Sequence, residues 1–223
     1  EANKPTLGDC IWNMGDCSCI SLPSACLFVL DGGSLLQRLP WLKNATLESI
    51  CQSYVDYVTK RYQNVVVVFD GYPNCPTTKD VTHMRLTRGI TGPKIHFTGN
   101  MPCKSRKETF LSNTKNKQSF INLLGRTLSS NGIRVHHAEA DADLDIVKTA
   151  ISFAESQEVV VMGEDTDILI LLCHHTSLTS RHYNFTLQRS KKAMYESTDY
   201  RTLKRPKLYL DRTYVNAYFC SCF

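Results

Sequence analysis

The sequence predicts an α/β domain on a mainly parallel sheet, and two observations predict it. Short all-apolar runs alternate along the chain with stretches of helical period. Three of the apolar runs end directly or within three residues in aspartate, as strands leading into a functional edge do. With 223 residues the chain is long enough for one sizeable core with extensions.

The first regular element is the run Ala25 to Leu30, a buried strand closed by the turn Asp31-Gly32-Gly33. Leu47 to Tyr62 places apolar residues at 47, 50, 54, 55, 58 and 62, one face of a helix. Val65 to Phe69 is the clearest strand. Its β-branched residues favour an extended backbone, and an unbroken apolar run needs cover on both faces, as in a parallel sheet. It ends in Asp70-Gly71.

Between 72 and 117 the character changes. Lys79, Arg85, Arg88, Lys94, Lys104, Arg106, Lys107, Lys115 and Lys117 stand against only Asp80 and Glu108. The segment reads as an irregular or mobile insertion with a basic face. A helix is expected over 117–130, with Phe120, Leu123, Leu124, Thr127 and Leu128 on one side and Asn131-Gly132 as its stop. Ile133 to His137 is a third strand, and 141–156 a helix packing through Ala142, Ile146, Ala150 and Phe153. Val159 to Met162 is the fourth strand, followed by Gly163-Glu164-Asp165-Thr166-Asp167. The apolar run 168–173 suits a helix or a further strand. Beyond His175 the pattern weakens, and 188–207 is basic and polar.

The expected organisation is therefore an N-terminal extension over 1–24, a domain over 25–175 containing the 72–117 insertion, and a C-terminal extension over 176–223. No apolar run approaches the length of about 18 residues that spans a membrane. The N-terminus lacks the layout of a secretory signal. The missing initiator Met is expected of a fragment or a processed product, and the sequons at Asn44 and Asn184 read as chance matches. A net charge of +5 permits a nucleic-acid partner without demanding one. The ten cysteines form no paired C-x-x-C knuckles. Cys51, Cys75 and Cys173 sit in or beside apolar segments, as reduced buried thiols do. The intervals of Cys10, Cys17, Cys19 and Cys26 suit no standard zinc pattern.

Chemistry concentrates in the acids. Asp31, Asp70, Asp165 and Asp167 follow strands, and the pair Asp141 and Asp143 opens a helix. In an open parallel sheet the carboxyl ends of the strands share one edge, so these residues converge. Gathered carboxylates repel one another and raise pKa values. A hard divalent cation removes that conflict, which favours Mg²⁺ or Mn²⁺ over zinc or copper. Two such ions about 3.5–4 Å apart support phosphodiester hydrolysis. Any one of these aspartates alone is an ordinary turn former or helix cap; four acidic strand-to-helix junctions together are not. Lys79, Arg85 and Arg88, three and six residues apart just after Asp70, are placed to neutralise phosphates. Asp145, Glu139, Glu164 and the pairs His136-His137 and His174-His175 read as solvated or structural.

Val29-Leu30-Asp31, Val68-Phe69-Asp70-Gly71, Glu139 to Asp143 and Gly163 to Asp167 stand in the order of the acidic motifs of the flap endonuclease (XPG) superfamily of PIN-like nucleases, which the chain resembles from about Phe28 to Leu172. It looks most similar to PIN-like proteins of animal genomes associated with mobile elements. The resemblance implies a three-layer domain with a central, mainly parallel sheet flanked by helices. It implies a nuclease cutting DNA or RNA with two Mg²⁺ or Mn²⁺ ions, structure-specific and nuclear. Asp31, Asp70, Asp141, Asp143, Asp165 and Asp167 would be both catalytic and metal-binding. Lys79, Arg85 and Arg88 would contact the scissile phosphate from a helical arch or clamp. The chain departs from the family in two ways: it lacks a downstream acid of the Gly-Cys-Asp type before Phe223, and it has no helix-hairpin-helix. That departure keeps a second reading open, a catalytically inactive PIN-like module that binds nucleic acid or acts as a scaffold. A haloacid-dehalogenase-like phosphatase wants a D-x-D on the first strand, which Asp31-Gly32-Gly33 does not supply. A dinucleotide-dependent dehydrogenase is disfavoured by the lack of a G-x-G-x-x-G after any strand.

Overall fold

The computed structural model describes residues 18–19, 26–71, 92–139, 141–163, 165–177, 185–188 and 207–208. Strands and helices alternate. In chain order they are β1 (Ser18–Cys19), β2 (Leu27–Asp31), α1 (Gly32–Arg38), α2 (Leu47–Arg61), β3 (Val65–Phe69), α3 (Lys107–Leu111), α4 (Thr114–Ser130), β4 (Arg134–His137), α5 (Ala142–Ala154), β5 (Val159–Met162), α6 (Thr166–Ser177), β6 (Phe185–Gln188) and β7 (Lys207–Leu208).

The main sheet has the order β4-β3-β2-β5-β6, and every neighbouring pair runs parallel. Val29 lies between Val66 and Val161, which sets the register of the three central strands. Because side chains alternate across a strand, each strand feeds two cores. Phe28, Leu30, Val65, Val67, Phe69, Val160 and Met162 face the layer of α1, α2 and α4. Leu27, Val29, Val66, Val68, Val159 and Val161 face α5 and α6. Mixed α/β architecture with a parallel sheet between helices is thus what the chain forms. Among the described residues no helix is long and apolar enough to cross a membrane.

Capping fixes where the helices begin. Thr46 Oγ1 accepts from the Ser49 amide at 3.2 Å, and Asn113 Oδ1 accepts from Lys115 and Asn116 at 3.1 and 3.2 Å. Asn113 accordingly starts α4 three residues before the expected 117. The buried face of α4 is Phe120, Ile121, Leu124, Gly125 and Leu128, with Leu123 only half-buried. The 168–173 run is the body of α6, not a strand.

The second half of the expected basic insertion is not a free arch but part of the packed body. Ile95 and Phe97 pack on the core. Asn116, buried, accepts from the Ile95 amide at 2.8 Å and donates to Pro93 O at 2.9 Å and Phe110 O at 3.3 Å. Lys107, read as part of the basic face, is buried and donates Nζ to Leu39 O at 2.8 Å. Burial pushes its pKa down, partly offset by Glu108. A lysine is tolerated there because a main-chain carbonyl meets its ammonium. The first half, 72–91, lies outside the described residues.

Residue 175 is the expected domain boundary. It falls inside α6, and β6 extends the sheet beside β5. Ser18 and Cys19, expected in an extension, pair antiparallel with Lys207 and Leu208. Cys26, Cys51 and Cys103 are free thiols. Burial, with Glu158 adding to it, raises Cys26 to about 11. Burial raises Cys51 to about 12, with Glu48 adding and a Thr127 hydrogen bond opposing. Burial thus favours the protonated thiol in both. Cys10, Cys17 and Cys75 lie outside the described residues.

Candidate metal centre

The acids gather where the parallel strands end. Asp31 closes β2 and caps α1; its Oδ1 accepts from the Gly33 amide at 2.8 Å. In register it lies opposite Val68, two residues before Asp70 on the neighbouring strand. Asp70 follows β3 directly, and its Oδ1 accepts from the Ala142 amide at the start of α5, at 3.1 Å. That bond ties the end of β3 to the helix carrying the next acids. Gly71 permits the approach: a Cβ there would meet Ala138 O at 2.0 Å.

Asp141 caps α5, accepting from the Asp143 amide at 3.2 Å. Asp165 stands just before α6 and accepts from the Asp167 amide at 3.0 Å. These short-range bonds are what Asp does at helix starts, and here they orient the carboxylates rather than explain their meeting. Asp143, Asp165 and Asp167 each offer an oxygen, and these three oxygens lie within 4.8 Å of one another. Asp165 is exposed; the other two are half-buried. Asp31 and Asp70 bracket Gly33, where a Cβ would sit 3.2 Å from Asp31 Oδ1 and 3.8 Å from Asp70 Oδ2. Gly163 is the bridge to the far side, since its Cβ would lie 3.9 Å from Asp31 Cβ.

All six predicted aspartates therefore stand at the strand-end edge, in unequal roles. Asp143, Asp165 and Asp167 form the tight group. Asp31 and Asp70 flank Gly33. Asp141 is exposed at the helix cap and outside the tight group. Lys79, Arg85 and Arg88 lie outside the described residues, as does Glu164. Glu139 is exposed. Two features escaped the sequence reading. One is Gly33, near which oxygens of both Asp31 and Asp70 lie, which the Gly32-Gly33 pair could have signalled. The other is the contact of His136 Nε2 with Asp145 Oδ2 at 3.4 Å, for which the sequence carries no signal.

The electrostatics single out Asp31. Its pKa is raised, first by burial, then by the charges of Asp70 and Asp165, against hydrogen bonds from the Ser34 and Gly33 amides that lower it. A native pKa above the unfolded one means the folded state binds the proton more tightly. The stabilisation is then fully present below the unfolded pKa and is lost as pH rises through the folded one. Asp31→Asn, which keeps the cap oxygen, is expected to melt above the wild type at neutral pH in EDTA. Thermal denaturation checks it, with the gap closing as pH falls into the range where Asp31 is protonated. A gap that widens on acidification would mean the carboxylate is favoured in the folded state.

Comparison of the chain with protein-family models, with curated proteins and with solved structures finds no match. The fold and edge define a parallel-sheet α/β domain with clustered carboxylates at the carboxyl ends of its strands.

Proposed function

We propose that this chain is a divalent-metal-dependent nuclease of the PIN-like kind, hydrolysing phosphodiester bonds of DNA or RNA. One observation carries the reading: carboxylate oxygens of Asp143 on α5, Asp167 on α6 and Asp165 just before α6 come within 4.8 Å of one another at the strand-end edge. The donor set is all hard oxygen, which fits Mg²⁺ or Mn²⁺. The carboxylate oxygens of Asp31 and Asp70, both near Gly33, are the donors for a second ion on this reading.

On this reading Asp143, Asp165 and Asp167 hold one cation, and Asp31 with Asp70 hold the other side of a two-ion site; Asp141 supports the helix start. When bound, the cations supply an activated water and stabilise charge on the leaving oxygen. The chain's own groups do the rest. The caps at Gly33, Asp143 and Asp167 keep the carboxylates aimed before substrate arrives. Asp31 holds a proton most readily while the site is empty of cations, because burial and its two acidic neighbours favour the neutral form. Lys79, Arg85 and Arg88 are assigned to phosphate contacts on the sequence argument.

Purified protein incubated with labelled single-stranded, duplex and 5′-flap DNA and with RNA tests this. Cleavage in Mn²⁺ or Mg²⁺ and none in EDTA is the expected result, and the preferred substrate sets the subclass. Salt-sensitive binding without cleavage in any metal would replace the enzyme with an inactive binding module. Release of phosphate from small monoesters, with polynucleotides left intact, would point instead to a phosphatase.

A further inference from the structure

His136 and Asp145, set aside in reading the sequence, meet beside the first turn of α5, which carries Asp143. Among the contacts that fasten that turn are three made by side chains. Asp70 accepts from the Ala142 amide at 3.1 Å, Asp141 accepts from the Asp143 amide at 3.2 Å, and His136 Nε2 lies 3.4 Å from Asp145 Oδ2. The first uses an oxygen of Asp70, a carboxylate assigned to the metal site, and a cation draws on the same lone pairs. The third touches none of the cation-holding carboxylates and reaches across to β4.

Helix geometry says what that third contact controls. Residues two apart on a helix stand about 200° apart around its axis. Asp145 reaches toward β4, while Asp143 reaches toward Asp165 and Asp167. Fixing one fixes the rotation of the turn, and with it the aim of the other. We propose that His136 is a positioning residue: by donating Nε2–H to Asp145 it sets the first turn of α5 about its axis and holds Asp143 against Asp165 and Asp167 for a divalent cation. The inference rests on the metal-site reading above.

Calorimetric titration of the full chain with Mn²⁺ tests it, on the wild type, His136→Ala and His136→Gln. His136→Ala is expected to weaken Mn²⁺ binding about tenfold, the lower end of the range for outer partners of metal ligands. His136→Gln, whose amide can donate to the same carboxylate, recovers most of that loss. In the metal-free protein, amide hydrogen exchange over 143–147 quickens in His136→Ala and stays unchanged in α2 and α4. The pair is partly solvated, with 51% of the His136 side chain and 28% of Asp145 exposed, so its removal leaves the melting temperature close to the wild type. Wild-type affinity in His136→Ala, with unchanged exchange, would overturn the positioning role and leave the metal site standing. A wild type that binds no Mn²⁺ would overturn the site reading and this inference together. Should His136→Ala fail to fold, Asp145→Ala, which removes the acceptor, replaces it, and unchanged Mn²⁺ affinity there overturns the role equally.

Discussion

The Asp70→Asn, Asp165→Asn double variant is expected to lose metal-dependent cleavage by on the order of a thousandfold or more, while remaining folded. Losing one charged ligand on each side of a two-ion site removes several kcal/mol of transition-state stabilisation, and each 1.36 kcal/mol is tenfold in rate. Asparagine retains the oxygens that matter to the fold. At position 70 it still accepts from the Ala142 amide, and at 165 from the Asp167 amide. The double change therefore removes charge and leaves the caps in place. Initial rates in Mn²⁺, paired with circular dichroism, check it. Equal rates in variant and wild type would place the activity elsewhere, in another site or a contaminant.

Phe120→Ala carries the largest expected loss of stability, about 3–5 kcal/mol. Phe120 is fully buried at the junction of four pieces of the chain. Its ring lies 4.7 Å from Trp41, 6.3 Å from Tyr54 and 6.3 Å from Phe110, joining the loop after α1 with α2, α3 and α4. Close-packed neighbours collapse only in part when a ring is removed, so a cavity cost adds to the lost burial. The polar groups around it hold the walls in place: Trp41 Nε1 donates to Tyr54 Oη at 3.1 Å, and Tyr54 donates onward to Leu36 O at 2.7 Å. Urea denaturation measures the loss, and Phe120→Leu should recover a good part of it. A loss below about 1 kcal/mol would show that this layer repacks freely, contrary to its aromatic interlock.

Much of the sheet was legible because its signals are local. Val65 to Phe69 and Val159 to Met162 are β-branched apolar runs, and such runs suit only strands covered on both faces. The helices over 47–61 and 142–154 show their buried faces at helical spacing, and Asp141 marks the start of the second. The start of α4 was missed because Asn113 caps through its own side chain seven residues before the first apolar residue of the stripe, Phe120. The body built by 92–117 was missed for a different reason. Its order comes from single long-range bonds, Asn116 to Ile95 and Pro93 and Lys107 to Leu39, which leave no period in the sequence. A run of lysines looks the same whether its members face water or, like Lys107, a buried carbonyl.

By itself the sequence determined that aspartates follow the strands, and parallel topology then obliges those strand ends to share an edge. It could not rank the six. Only the tertiary structure decided that Asp143, Asp165 and Asp167 meet within 4.8 Å, that oxygens of Asp31 and Asp70 both come near Gly33, and that His136 reaches Asp145. Periodicity reports which way a residue faces on its own element. The distance between carboxylates on α5 and α6 depends on how two helices rotate against a shared sheet, and that is fixed by packing across the whole domain.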